Sequence, residues 1–222
     1  MEQCSEEKEM GEEYLVLVDK DDNPIGSEEK VKCHLPNGKL HRAFTALLFD
    51  KSGKLVLTRR AKEKMLWPGD WDGTVASHPR EPETYVSSAE RRMPEELGIT
   101  CKLDYLFKFE YHVPYKDIGS ENEICGTLIG IVSDSIQFKV VEDEIDKIKW
   151  ISASELLLEL KNNPKIYCPW MLIALELLDK AEKSMLKKHK DVLSLWINPE
   201  LQKELQKAIR VHLPDNKWRI VK

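Results

Sequence analysis

The stretch "AFTALLFDKSGKLVLTRR" constrains the chain more than any other. Two apolar runs flank Asp50-Lys51-Ser52-Gly53, and turn residues between such runs predict a β-hairpin. Upstream, "EYLVLVDKDDNPIG" predicts a strand followed by a turn at Asp-Asp-Asn-Pro. Downstream, a helix is expected from about Glu83 to Leu97, stopped by Gly98, with Pro94 as a warning inside its last turn. "LDYLFKFEYHV" and "ENEICGTLIGIVSD" read as two more strands, and "IDKIKWISASELLLELKNN" as strand, Ser cap and helix. Residues 168–187 carry one long helical pattern, and a last amphipathic helix follows with Leu201, Leu205 and Ile209 on one face, then a polar tail. Strands and helices interleaved in this way imply an α/β layered domain.

Composition narrows the function classes. With 222 residues, of which 41% are hydrophobic, one large domain with extensions can bury a core. Three segments are expected: an acidic arm over 1–12, the main domain over 13–187 and a helical extension over 188–222. The extension is expected to pack back onto the domain. A net charge of -5 offers no general attraction to nucleic acid. No apolar run approaches a membrane span, and the polar N-terminus lacks signal-peptide blocks, so a cytoplasmic protein is expected. The odd cysteine count, without CxxC spacing, points to free thiols.

Residues 77–99 resemble the G-x5-E-x7-R-E-U-x-E-E-x-G-U pattern of Nudix proteins, where U is a bulky aliphatic residue. Glu83, Arg91, Met93, Glu95, Glu96, Gly98 and Ile99 fit it. Ser77 stands at the glycine position, and Arg92 stands where a metal-binding glutamate belongs. Diphosphate hydrolysis needs clustered carboxylates to hold Mg²⁺ and activate water. Arg92 removes one of them, yet a guanidinium suits a diphosphate oxygen. That exchange suggests a site that holds a diphosphate without cutting it.

Other polar groups recur at suggestive spacings. His34 and His41 are seven apart, His78 lies beside the Nudix-like segment, and Glu121 and Glu123 are two apart. On a strand, spacing two puts both carboxylates on one face. Three imidazoles and two carboxylates suit Mn²⁺, Zn²⁺, Fe²⁺ or, less well, Mg²⁺. Spacing alone leaves the ordinary alternative open for each histidine, a surface or satisfied core group. His112, His189 and His212 are read that way.

Order and spacing of "CHLPNGKLHRAF", "LTRRAKEKMLWPGDW", "SHP", "RRMPEELG", "ENEIC" and "CPWM" make the chain similar to type I isopentenyl diphosphate isomerases over roughly residues 14–180. The resemblance implies a Nudix-type α/β/α sandwich with a mixed sheet. It implies a metal centre of His34, His41, His78, Glu121 and Glu123, taking Mn²⁺ or Zn²⁺. It implies a diphosphate-bound Mg²⁺ held by Glu96 and the backbone carbonyl of Ala76. Lys30, Arg60, Lys64 and Arg92 are expected to grip the diphosphate, Tyr111 to stand near the glutamates, and Trp170 to face a carbocation. The implied reaction moves the double bond of isopentenyl diphosphate to give dimethylallyl diphosphate. One proton carrier matches Glu123. A Nudix-type diphosphohydrolase and a non-catalytic prenyl diphosphate binder are the alternatives.

The resemblance fails at one place that matters. The family's second proton carrier, a cysteine, aligns with Ala76, which has no proton to exchange. Ser77 is expected to point to the other face of its strand. Thr74 lies on the right face, about 7 Å back along an extended chain, and Asp72 about 13 Å back. Cys33, beside His34, and Cys125, two beyond Glu123, are further candidates for reaching the pocket. Asp72 and Gly73 also replace the commoner Thr-Asn, so several changes together read as natural divergence rather than a single engineered substitution.

Overall fold

The expected hairpin forms at its turn and then opens. The computed structural model describes residues 13–215 and 218–222; the expected acidic arm over 1–12 lies outside them. In chain order the elements are β1 (Tyr14–Val18), β2 (Pro24–Glu29), α1 (Lys30–His34), β3 (His41–Phe49), β4 (Leu55–Arg60), β5 (Trp71–Asp72), β6 (Val75–Ser77) and α2 (Tyr85–Leu97). They continue with β7 (Asp104–Tyr115), β8 (Gly119–Ile131), β9 (Ile145–Ile151), α3 (Ala153–Asn162), α4 (Pro169–Glu176), α5 (Lys183–Lys188), α6 (Lys190–Trp196), α7 (Pro199–His212) and β10 (Trp218–Val221).

β3 and β4 pair only at Phe49 and Leu55. Beyond that point Thr74 comes between them: its Oγ1 donates to the Val56 carbonyl (2.7 Å) and accepts from the Leu48 amide (2.9 Å). β6 then occupies the edge of β3, with Ala76 opposite Thr45, while β4 pairs with β9. The opening of the hairpin is thus what admits the strand bearing Ala76 into the sheet. β3 runs parallel to β8, and the other pairings are antiparallel, so the sheet is mixed, with a main path β10-β7-β8-β3-β1-β2.

Strand alternation sorts the core into two layers. Phe44, Ala46, Leu48 and Val75 pack with Ala89, Met93 and Leu97 of α2 on one face. Leu47, Phe49, Leu55 and Leu57 pack with residues of α3, α4, α6 and α7 on the other. Ala76 packs against this second layer, so β6 turns Val75 and Ala76 to opposite faces.

The helix expected over 168–187 is broken. α4 ends at Glu176, a single 3₁₀ turn covers Leu178–Lys180, and α5 starts at Lys183. Pro169 to Leu175 are all buried, whereas Asp179, Lys180 and residues 182–184 are exposed. A straight continuation would carry those charges into the layer that encloses α4, where burial of unpaired charge is costly. The C-terminal segment packs back as expected: α7 buries Leu201, Leu205 and Ile209 in the same cluster as α3 and α4. The expected polar tail instead ends in β10, antiparallel to β7 with Trp218 opposite Tyr111. Its four residues are too short, and too charged at Arg219, to show a strand pattern.

α2 is set by its ends. Thr84 caps the N-terminus through a reciprocal pair with Ser87. Gly98 closes it at φ 66°, its amide bonded to the Pro94 carbonyl (3.2 Å). Pro94 sits inside the last turn without ending the helix. A Cβ on Gly98 would also lie 2.8 Å from Lys139 Cβ. Gly98→Ala is therefore expected to cost about 1–2 kcal/mol. A calorimetric scan would check it; an unchanged melting temperature would contradict the strain. Among the described residues, no helix is long and apolar enough to cross a membrane.

Candidate active site and metal centre

The site is assembled where β3, β6 and β8 meet. β8 alternates so that Glu121, Glu123 and Cys125 share one face, and the parallel register sets His41 opposite Glu123 and Ala43 opposite Cys125. α1 brings His34 over the same spot, and the chain leaving β6 brings His78. Arg91 of α2 fixes that segment: it bonds Glu83 (2.6 Å) and the His78 carbonyl (3.4 Å), and Ser88 also donates to that carbonyl (3.1 Å).

The three imidazole rings lie with centroids 4.8–5.4 Å apart. One ligand atom from each of His34, His41, His78 and Glu123 falls within 4.8 Å of the others. Glu121 joins them through His34, with Oε2 3.0 Å from Nε2. His34 Nδ1 is bonded to the Lys30 carbonyl (2.6 Å) and His41 Nδ1 to the Lys39 carbonyl (2.7 Å). Each Nε2 is thereby turned toward the cluster, because the carbonyl on Nδ1 fixes the ring orientation and tautomer as it does in a metal-ligating histidine.

Three observations test whether these groups fit a divalent cation. His41 Nε2, His78 Nδ1 and Glu121 Oε2 are buried without a well-formed hydrogen bond, although His41 Nε2 lies 3.3 Å from Glu123 Oε1 and Glu121 Oε2 3.0 Å from His34 Nε2. Buried polar atoms without full partners are uncommon, and here all three belong to residues of the cluster. Burial disfavours charge on His34, yet the carboxylates of Glu121 and Glu123 hold its pKa up to about 9. Burial, then the neighbouring His41 and His34, pushes His78 well below the usual imidazole range. The carboxylates call for positive charge at His34 while burial resists it at His78, and a metal ion shared by the cluster satisfies both.

Tyr111, opposite Glu123 across β7 and β8, donates its hydroxyl to Glu123 Oε2 at 2.5 Å. Burial and then the Glu123 charge raise the Tyr111 pKa well above its ordinary value, so the phenol stays a donor. Burial opposes ionisation of Glu123, but the His41 contact and the Tyr111 bond hold its carboxyl below its usual range. Trp170 closes the cavity from α4. Its Nε1 donates to Asp72 Oδ1 (2.7 Å), and the Arg60 guanidinium carbon lies 5.3 Å from its ring centre. Trp67 stands edge-on to Trp170 (5.3 Å) and leans on Tyr115 (4.6 Å), backing the Trp170 indole from outside the cavity lining.

Lys30, Arg60, Lys64 and Arg92 line the same cavity. Glu96 is buried behind Arg92, 2.6 Å from its Nη2, and burial raises its pKa against the pull of that guanidinium. Arg92 thus occupies the carboxylate-lined place of its motif and pairs with Glu95 (2.8 Å) as well. No motif or spacing marks Glu144, which ion-pairs with both Lys64 and Arg92.

The candidates for a second proton carrier separate clearly. Asp72 is not free: it accepts from Trp170, from the Gly73 amide (2.7 Å) and from Arg60 (3.3 Å), so it positions the indole. Thr74 is committed to the backbones of β3 and β4. Cys33 turns its sulfur toward the Glu28 carbonyl (3.6 Å), and burial pushes its pKa up to about 11. Cys125 does line the cavity, on the same wall as half-buried Ala76. His112 and His189 stand elsewhere, against Asn37 (3.1 Å) and Asp104 (2.7 Å), and His212 ends α7.

Residues 39–171 match the NUDIX domain model. The isopentenyl-diphosphate Delta-isomerase of Haloarcula marismortui is 37% identical over 77% of this chain and 93% of its own length. That of Halobacterium salinarum is 38% identical over 72% of this chain and 78% of its own. The solved structure of DR0079 from Deinococcus radiodurans, 19% identical, superposes with a TM-score of 0.58 over 77% of this chain and all of that one, a likeness of fold. The residue pattern, the converging histidines and glutamates and these relatives together place the chain in the NUDIX superfamily and, within it, in the isopentenyl-diphosphate Delta-isomerase family.

Proposed function

We propose that the protein interconverts isopentenyl diphosphate and dimethylallyl diphosphate, with Mn²⁺ or Zn²⁺ held by His34, His41, His78, Glu121 and Glu123. Glu96 and the Ala76 carbonyl would hold a Mg²⁺ ion bound to the diphosphate. One observation carries the reading: a buried carboxylate bonded to a phenol, Glu123 with Tyr111, stands beside three converging imidazoles under an indole face.

The residues divide the work. Lys30, Arg60, Lys64 and Arg92 bind the diphosphate at the mouth. The metal supplies positive charge that orients Glu123 and tunes its proton affinity. Glu123 moves one of the two protons at the alkene, and Tyr111 steadies its other oxygen. Protonation at the terminal carbon leaves a tertiary cation. The Trp170 face stabilises that cation without reacting with it, and Asp72 keeps the ring in place. Trp67 and Trp170 exclude bulk water that would quench it. Loss of a proton from C2 completes the shift. Ala76 cannot take part in that transfer, so the second proton travels through the Cys125 thiol or a water molecule.

The reading against hydrolysis rests on Arg92. Its guanidinium draws on Glu95 and Glu96, the carboxylates a hydrolase would give to metal ions. Proton NMR of the protein with isopentenyl diphosphate, Mg²⁺ and Mn²⁺ in D₂O tests both. The dimethylallyl isomer is expected, with deuterium in its methyl group. An unchanged spectrum would refute the isomerase reading, and released phosphate would favour the hydrolase.

A further inference from the structure

The cations of the cavity are already occupied. Lys30 pairs with Glu13 (2.8 Å), Arg60 with Asp72 (3.3 Å), Lys64 with Glu144, and Arg92 with Glu95, Glu96 and Glu144. Among these carboxylates Glu144 alone takes two of the cavity's cations. Its Oε2 binds Lys64, from the loop after β4, and its Oε1 lies 3.5 Å from Arg92 Nη2, on α2. The Glu144 carbonyl also accepts from the Ala61 amide (3.1 Å), so the residue is fastened to the loop that carries Lys64. Burial works against its charge, yet Lys64 and then Arg92 hold its carboxyl below the usual range.

We propose that Glu144 is a placeholder for the diphosphate of the substrate, an inference that rests on the diphosphate reading above. In the free protein it holds Lys64 and Arg92 in gripping position, so neither long side chain must be ordered when substrate arrives. The diphosphate carries more negative charge and takes both cations over. The Glu144 carboxylate is released from them, and it competes for them again as product leaves. The cations are never buried unpaired, a state that would be costly. A carboxylate that only braced the loop would aid ligand binding. A placeholder competes with the ligand, so its removal strengthens binding.

The opposite signs make the test direct. The full-length protein is titrated calorimetrically with inorganic diphosphate in magnesium-free buffer, as wild type, Glu144→Gln and Glu142→Gln. Glu142 is an exposed neighbour, so it controls for the change in net charge. Glu144→Gln is expected to bind about tenfold more tightly, from the loss of one repelling charge near the ligand, and Glu142→Gln within about twofold of wild type. With isopentenyl diphosphate, Glu144→Gln is expected to lower KM and kcat together, because release slows. Glu144→Asp, which keeps the charge on a shorter arm, is expected to lie between. Equal or weaker diphosphate binding by a folded Glu144→Gln overturns the placeholder. Wild type that fails to bind diphosphate overturns the diphosphate reading and the placeholder with it.

Discussion

Glu123→Gln is expected to reduce turnover by about 10³-fold, within the range that general acid–base groups contribute. The substitution keeps the size of the side chain and its bond from Tyr111 Oη, which donates to Oε2 in the wild type. It removes the exchange of a proton with carbon, which an amide cannot supply. It also removes a negative charge 3.3 Å from His41 Nε2 and 3.2 Å from His78 Nε2, so metal affinity should fall as well. Two measurements separate the effects: NMR rates at saturating Mn²⁺, and metal retained after gel filtration. Turnover within tenfold of wild type, with metal restored, would show that Glu123 is a ligand only. Tyr111→Phe should cost less, since it removes a bond to the carboxylate and leaves the carboxylate in place.

The parts of the molecule that were legible in the sequence are those with local signals. Thr84 and Gly98 bracket α2 with cap chemistry that needs no tertiary help. Alternation along β8 puts Glu121 and Glu123 on one face, and the fold keeps it. The histidines were legible only through the order of motifs, because their meeting depends on α1 folding over the sheet and on β6 pairing with β3. The opening of the hairpin was hidden: Asp50 to Gly53 makes a good turn, and nothing local says that Thr74 will take the hydrogen bonds of β3 and β4. The break after α4 was hidden for a similar reason. Apolar periodicity runs on through Leu177 and Leu178, and only the enclosure of α4 on all sides forces the exposed charges out. Asp72 looked like a base because its type and face were right; its three partners come from α4, β4 and its own turn. Glu144 sits in an acidic run, "EDE", that looks like any solvated surface segment.

Ala76→Cys is expected to raise turnover by about 10²-fold, which is the lower end of what a positioned proton carrier supplies. The argument is geometric. β6 pairs Ala76 with Thr45 and turns its side chain toward the second core layer, the wall that also carries Cys125 and bounds the cavity. Ala76 lines the cavity beside the second core layer, and one added sulfur at this half-buried position is a small change in volume, so the cost in stability should be small. The backbone carbonyl proposed to meet Mg²⁺ stays where β6 holds it. The new thiol would carry the proton that Ala76 cannot, with Glu123 moving the other. NMR rates of the variant against wild type, each with and without Cys125→Ser, decide what does that work now. A rise that survives Cys125→Ser means that water serves poorly in the natural protein and that the thiol at residue 76 replaces it. No rise, together with a collapse of the natural activity in Cys125→Ser, means that the carrier has already moved from β6 to β8. Two carriers on one face of one strand would then have to shuttle both protons on the same side of the substrate. That outcome would change the stereochemical course of the reaction without altering its product.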